Sequence, residues 1–120
     1  MPRPRILLVD DDDGVRTLLE HILSAANHEI DEAASVKASL ALLERNYYNL
    51  LLTDLMLPDG SGMQIAEEAH RRGTPAIIVT AYPYRFRKAD LARFDLLLKP
   101  VQPAELLEAV SKALQRSCTR

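Results

Sequence analysis

Four short apolar runs punctuate the chain: Ile6–Val9, Leu50–Leu52, Ala76–Val79 and Leu96–Leu98. Each is too short for most helices and is closed by turn or charged residues, so each reads as a strand: the Leu50 run as one buried on both faces, Ala76–Thr80 as another buried strand, and Asp95–Leu98 as the last. Between them the apolar residues recur at helical spacing. Val15, Leu18, Leu19, Ile22 and Leu23 mark one helix face, with Asp13 at the N-cap position, suited to the positive end of the helix dipole, and Asn27-His28 at the end. Glu29–Ala33, with Ile30 its only branched apolar residue, predicts a weak strand at a sheet edge. Ser35 caps a second helix that turns Val36, Leu40 and Leu43 inward and Lys37 and Glu44 outward. Gly62 to Arg72 reads as a third, with Met63, Ile65, Ala66 and Ala69 inside and Gly73 and Pro75 closing it. Tyr82 to Phe94 is polar, basic and broken by Pro83, so any helix there is short. Pro103-Ala104-Glu105 opens a last helix that reaches about Arg116 and buries Leu106, Leu107, Val110 and Leu114.

Strand and helix thus alternate five times, which predicts a parallel sheet covered by helices on both faces. Right-handed crossovers favour a doubly wound α/β sheet of order 2-1-3-4-5, a flavodoxin-like three-layer sandwich. A chain of 120 residues, 48% hydrophobic and 27% charged, fits one domain spanning 1–120 with its own core. The formal net charge of -2 argues against a general nucleic-acid-binding role, which needs a basic face. Cys118 is the only cysteine, so no internal disulfide forms and a reducing compartment is the simpler inference. Met1-Pro2-Arg3-Pro4-Arg5 is basic like the start of a signal peptide. The apolar run after it stops at Val9, too short for a signal core or a membrane span, so a cytoplasmic protein is expected.

Chemistry gathers at the strand ends. Asp10 and Asp11 follow the first strand, Asp54 ends the third, Thr80 the fourth, and Lys99 follows the fifth. A parallel sheet brings these ends to one edge, where open α/β folds place ligands. Three carboxylates together repel one another unless a cation joins them. Oxygen ligands with no cysteine or histidine suit a hard ion, and Mg²⁺, which uses few protein ligands and keeps waters, is the natural choice. Lys99 adds a point charge for an anion, and the Thr80 hydroxyl can donate to a phosphoryl oxygen. Carboxylate, divalent cation, ammonium and hydroxyl are the parts of a phosphoryl-transfer site, with Asp54 as nucleophile.

These residues carry a resemblance. Asp10-Asp11, the segment Asp54-Leu-Met-Leu-Pro-Asp-Gly-Ser-Gly62, Thr80-Ala81 and Lys99-Pro100 make the chain similar, over nearly its whole length, to the receiver domain of two-component response regulators. The resemblance implies that Asp54 accepts a phosphoryl group from a phosphohistidine of a sensor histidine kinase or phosphotransfer protein. It implies Mg²⁺ held by Asp11, Asp54 and the Met56 carbonyl, with Asp10 acting mainly through water. Lys99 would contact the phosphoryl group, Thr80 would turn toward it, and the Lys99-Pro100 bond would be cis. Such a domain promotes its own phosphorylation and dephosphorylation without being a conventional turnover enzyme. It signals to a downstream protein or to an output domain outside this sequence, and a homodimer is left open. Two departures stand out. Leu96 occupies the position, three before the lysine, where the family usually has an aromatic ring, and the segment between Thr80 and Lys99 is short. The expectation is that signalling leaves through Tyr82–Arg93 by an altered route, with Tyr82 or Tyr84 in place of the missing ring.

Plainer roles suit the remaining candidates. Asp12 and Asp13 read as capping and solvation, Asp59 as a turn residue, and Tyr47-Tyr48 as packing. Arg85, Arg87, Lys88 and Arg93 read first as a solvated basic face and second as a partner-docking surface. His21, His28 and His70 lack partners at metal-ligand spacing and read as structural or surface residues. Met56 and Tyr82 flank the expected site and would shield an acyl phosphate from water. Asp11-Asp12-Asp13-Gly14-Val15 is also similar to the opening of haloacid-dehalogenase-type phosphatases, with Asp11 as nucleophile and Asp13 as general acid. That class needs a later acidic pair after another strand and a longer chain, and this sequence offers neither. The other rival is a receiver-like interaction module that works without phosphorylation, favoured by Leu96 and the short fourth segment and opposed by the complete acidic set and Lys99.

Overall fold

The computed structural model describes residues 3–82, 89 and 92–118. Five parallel strands form the main sheet: β1 (Arg5–Val9), β2 (Glu29–Ala33), β3 (Leu50–Asp54), β6 (Ala76–Thr80) and β7 (Asp95–Leu98). A two-stranded antiparallel hairpin, β4 (Met56–Leu57) and β5 (Gly60–Ser61), interrupts the numbering. The sheet order is β2-β1-β3-β6-β7, which is the expected 2-1-3-4-5 once the hairpin is set aside. The described residues include helices α1 (Asp13–Ala25), α2 (Val36–Arg45) and α3 (Gly62–Arg71) between strands and, after β7, α4 (Pro103–Cys118).

The apolar strands alternate between two cores, as residues buried on both faces of a sheet must. Leu7, Val9, Leu51 and Ile78 pack with Leu43, Ile65 and Ala69 under α2 and α3. Ile6, Leu8, Leu52 and Ile77 pack with Leu19, Leu23, Leu106 and Val110 under α1 and α4. The weak strand β2 lies at the edge, where its burial falls away. Tyr48, fully buried, pins that edge: its hydroxyl donates to the Asp31 carboxylate at 2.6 Å, and Arg5 donates to the same oxygen at 2.9 Å.

Several boundaries differ from the sequence reading, each for a local reason. The N-cap of α1 is Asp12, whose Oδ1 accepts from Val15 N at 3.0 Å, while Asp13 forms the first turn. The α3 helix stops at Arg71, and Gly73, at φ 80°, completes its end through Gly73 N to His70 O and Thr74 N to Ala69 O. Asn27, at φ 68°, does the same for α1. The last helix runs two residues beyond Arg116, to Cys118. It buries Ala113 fully, while Leu107 and Leu114 are only partly covered. Tyr47 is exposed, unlike Tyr48. Leu18, expected to face inward, is 58% exposed and lines a groove of about 340 Å³ with Val15, Leu19, Lys99, Pro100 and Val101. Most of the Tyr82–Phe94 segment, with Tyr84, Arg85, Arg87 and Lys88, lies outside the described residues. Among the described residues no helix is long and apolar enough to cross a membrane.

Candidate functional site

Parallel pairing places the ends of β1, β3 and β6 side by side, with Val9 opposite Thr53 and Asp54 opposite Val79. The carboxylates that follow must therefore converge. Asp10, Asp11 and Asp54 each offer an oxygen, and these oxygens all lie within 4.8 Å of one another. Asp10 is buried, Asp54 half-buried and Asp11 exposed, so the cluster opens to solvent on one side. Lys99 Nζ reaches in from beyond β7 to Asp10 Oδ2 at 2.9 Å and Asp54 Oδ2 at 3.0 Å. Burial opposes the ammonium charge, but the bonds to Asp10 and Asp54 outweigh it and hold the Lys99 pKa above its ordinary value. The Lys99-Pro100 peptide is cis, as the resemblance implied.

Two of the three carboxylates, Asp10 and Asp54, are oriented by the backbone around them. Asp10 Oδ1 accepts from Asp12 N at 2.9 Å, which folds the acidic loop over its own first residue. Asp54 Oδ1 accepts from Leu55 N at 2.7 Å and from Met56 N at 3.4 Å. Thr80 is buried at the end of β6, and its hydroxyl accepts from Tyr82 N at 3.1 Å. Lys99 N donates to the Thr80 carbonyl at 3.0 Å, tying the two strand ends together. The Thr80 side chain thus stands at the same edge but is engaged with the following loop. Met56 is exposed in β4, two residues beyond Asp54, and its amide donates to the carboxylate. Leu96 is 38% exposed on β7.

Three residues that shape the site were not singled out for it by sequence reasoning. Arg16 on α1 donates to the Asp10 carbonyl at 2.7 Å, to Glu32 at 3.0 Å and to Asp13 at 2.6 Å, clamping the acidic loop to α1 and β2. Its spacing of three from Asp13 is the only local hint. A Cβ on Gly62 would stand 1.9 Å from the Asp54 carbonyl oxygen, so only glycine lets α3 begin against the back of Asp54. Asp59 does more than turn the chain: its carboxylate accepts from Val36 N at 2.8 Å and Lys37 N at 3.0 Å, at the start of α2. Those bonds hold its pKa below the usual carboxylate range. His21 is exposed and His28 Nδ1 lies 3.0 Å from the Leu23 carbonyl oxygen. His70 stacks edge-on with Phe94, and none of the three histidines belongs to the acidic cluster.

Three carboxylates against one ammonium leave the pocket formally anionic, and its donors are all oxygens. That donor set fits a hard divalent cation such as Mg²⁺.

Comparison with known proteins agrees with this geometry. Residues 6–111 match the family model of the response regulator receiver domain. The chain is 37% identical over 120 residues to the response regulator protein PilR of Pseudomonas aeruginosa, covering 96% of this chain and 27% of that protein. It is 34% identical over 116 residues to the transcriptional regulatory protein SrrA of Staphylococcus aureus, covering 93% of this chain and 48% of SrrA. The chain thus spans about a quarter to a half of the length of these curated relatives. Among solved structures, a CheY-like receiver domain protein from Methanospirillum hungatei superposes with a TM-score of 0.87 at 33% identity, over 98% of both chains. TrrA from Thermotoga maritima, in complex with Mg²⁺ and BeF, superposes with a TM-score of 0.84 at 29% identity, over 92% of this chain and 98% of that one. With its sheet order and sequence both matching, the chain belongs to the response regulator receiver domain family of two-component systems.

Proposed function

We propose that this domain accepts a phosphoryl group on Asp54 in a Mg²⁺-dependent reaction and relays it as a signal. The observation that carries the reading is the meeting of Asp10, Asp11, Asp54 and Lys99 from three strand ends, up to 89 residues apart in sequence. A phosphohistidine on a sensor histidine kinase or phosphotransfer protein is the donor. A carboxylate oxygen of Asp54 attacks phosphorus, the new O–P bond forms as the N–P bond breaks, and the imidazole leaves and takes up a proton from solvent. Asp11, Asp54 and the Met56 carbonyl would hold Mg²⁺, and Asp10, already bound to Lys99 and Asp12 N, would act through water. Mg²⁺ there supplies charge neutralisation for the phosphoryl oxygens. Lys99 offers a second positive charge for those oxygens, and Leu55 N and Met56 N keep the carboxylate pointed at the opening.

Thr80 follows from the same reading. Its hydroxyl is committed to Tyr82 N, so turning toward an acquired phosphoryl group exchanges one bond for another and pulls on the loop after β6. The exposed groove bordered by Leu18, Pro100 and Val101, with Lys99 in its wall, suits an apolar face of the donor domain. Output passes to a downstream protein or to a domain beyond this sequence, and a cytoplasmic location goes with the same reading. The test is incubation with Mg²⁺ and a small phosphodonor, followed by intact mass. One phosphoryl group is expected on the natural chain and none on Asp54→Ala or after chelation of Mg²⁺. Uptake by Asp54→Ala overturns the assignment.

A further inference from the structure

The hairpin that follows Asp54 is held at both ends. At its base, Asp54 Oδ1 accepts from Leu55 N and Met56 N, and Gly62 N donates to the Leu55 carbonyl at 2.8 Å. Two cross-strand pairs, Met56 with Ser61 and Leu57 with Gly60, make the body. At the tip, Asp59 reaches 23 residues back along the chain and takes both leading amides of α2, Val36 N and Lys37 N. Gly60 lies close enough to α2 that an added Cβ would stand 3.2 Å from Val36 Cγ2. Helix α2 already has a cap of its own, since Ser35 Oγ accepts from Ala38 N at 3.1 Å. The Asp59 bonds are thus a bridge between the loop that carries Met56 and a helix that contributes nothing else to the acidic pocket.

We propose that Asp59 is a positioning residue for the cation site. By fastening the hairpin tip to α2 it fixes the Met56 main chain relative to Asp54, so that the Met56 carbonyl is preset as a ligand. Two backbone pairs alone make a weak hairpin, and a short two-stranded unit needs outside support to hold one geometry. A preset ligand spares the cation the cost of ordering the loop, and partners that orient metal ligands typically act on the scale of tenfold or more in affinity. This rests on the Mg²⁺ reading above.

The experiment compares the natural chain with Asp59→Ala, Asp59→Asn, Ser35→Ala and Asp11→Asn, titrating each with Mg²⁺ alone by calorimetry. Amide exchange at Val36 and Lys37 is followed in the natural chain with and without Mg²⁺. Asp59→Ala is expected to weaken Mg²⁺ binding about tenfold. Asp59→Asn, which keeps one acceptor, is expected to weaken it less, and it serves alone if Asp59→Ala does not fold. Ser35→Ala removes the other α2 cap without touching the hairpin, so it lowers the melting temperature and leaves Mg²⁺ affinity unchanged. By reciprocity, Mg²⁺ slows exchange at Val36 and Lys37. Unchanged affinity in the Asp59 variants, or an equal loss in Ser35→Ala, overturns the proposal and leaves Asp59 a helix cap. Failure of the natural chain to bind Mg²⁺, or binding by Asp11→Asn equal to it, overturns the cation reading itself.

Discussion

At Lys99 two effects oppose each other: burial disfavours the ammonium, and two carboxylates within 3.0 Å favour it more. The raised pKa keeps the charge in place through neutral pH, and the stability it adds is lost only as pH rises past its ordinary value and through the raised one. The ammonium also holds an oxygen of Asp54, a carboxylate proposed above as a cation ligand. Lys99→Ala is therefore expected to tighten Mg²⁺ binding several-fold, read by calorimetry, while uptake from a phosphodonor falls. Gly62 is constrained differently. Gly62→Ala drives a methyl to 1.9 Å from the Asp54 carbonyl oxygen, which must move. A loss of about 1–3 kcal/mol in denaturant unfolding is expected, together with loss of phosphoryl uptake. The meeting of Asp10, Asp11, Asp54 and Lys99 was legible because all four stand at the ends of expected parallel strands, although each alone also suits a turn or a cap. Gly62 was legible only as a turn former, since its partner is a main-chain atom that no pattern reveals.

Among the elements, β2 shows how an edge strand is kept. Its side chains are too polar to hold it by burial, and the Asp31 carboxylate instead takes the Tyr48 hydroxyl and Arg5. Burial first, and then the bond to Asp31, raises the Tyr48 pKa well above 10. The unfolded chain therefore loses that proton first, and stability falls as pH rises above about 10. Tyr48→Phe is expected to cost about 1.5–3 kcal/mol at neutral pH, for a lost bond to a charged partner. It should also flatten the decline in stability above pH 10, as measured by urea unfolding at stepped pH. The elements themselves were legible: β3, β6 and β7 contain the apolar runs and extend one or two residues past them, and β2 has the bounds of the weak strand expected at Glu29–Ala33. Cap positions were less so. Asp12 and Asp13 are chemically identical, and only the path of the acidic loop, folded by Asp12 N onto Asp10 Oδ1, decides which one caps α1. Asp59 was invisible as a bridge because its partners belong to another element.

For the molecule as a whole, the fold and the site are one object. Asp10 and Lys99 come within 2.9 Å only when β1 and β7, with two other strands between them in the sheet, are both docked. A cation held by groups that follow β1 and β3 binds only the folded sheet and so stabilises it. At one hundred times its dissociation constant Mg²⁺ is expected to add about 2.7 kcal/mol to unfolding. The melting temperature of the natural chain should rise accordingly and that of Asp11→Asn should not. The sheet order followed from alternation and handedness alone, whereas the groove around Leu18 did not, because helical spacing cannot tell an inward face from a rim.

The long separation between Asp10 and Lys99 has a consequence during synthesis. A nascent chain leaving the ribosome exposes Asp10, Asp11 and Asp54 long before the lysine that joins two of them. Until Lys99 emerges, Asp10 and Asp54 lack the ammonium that bridges them, so the pocket is completed only late in synthesis.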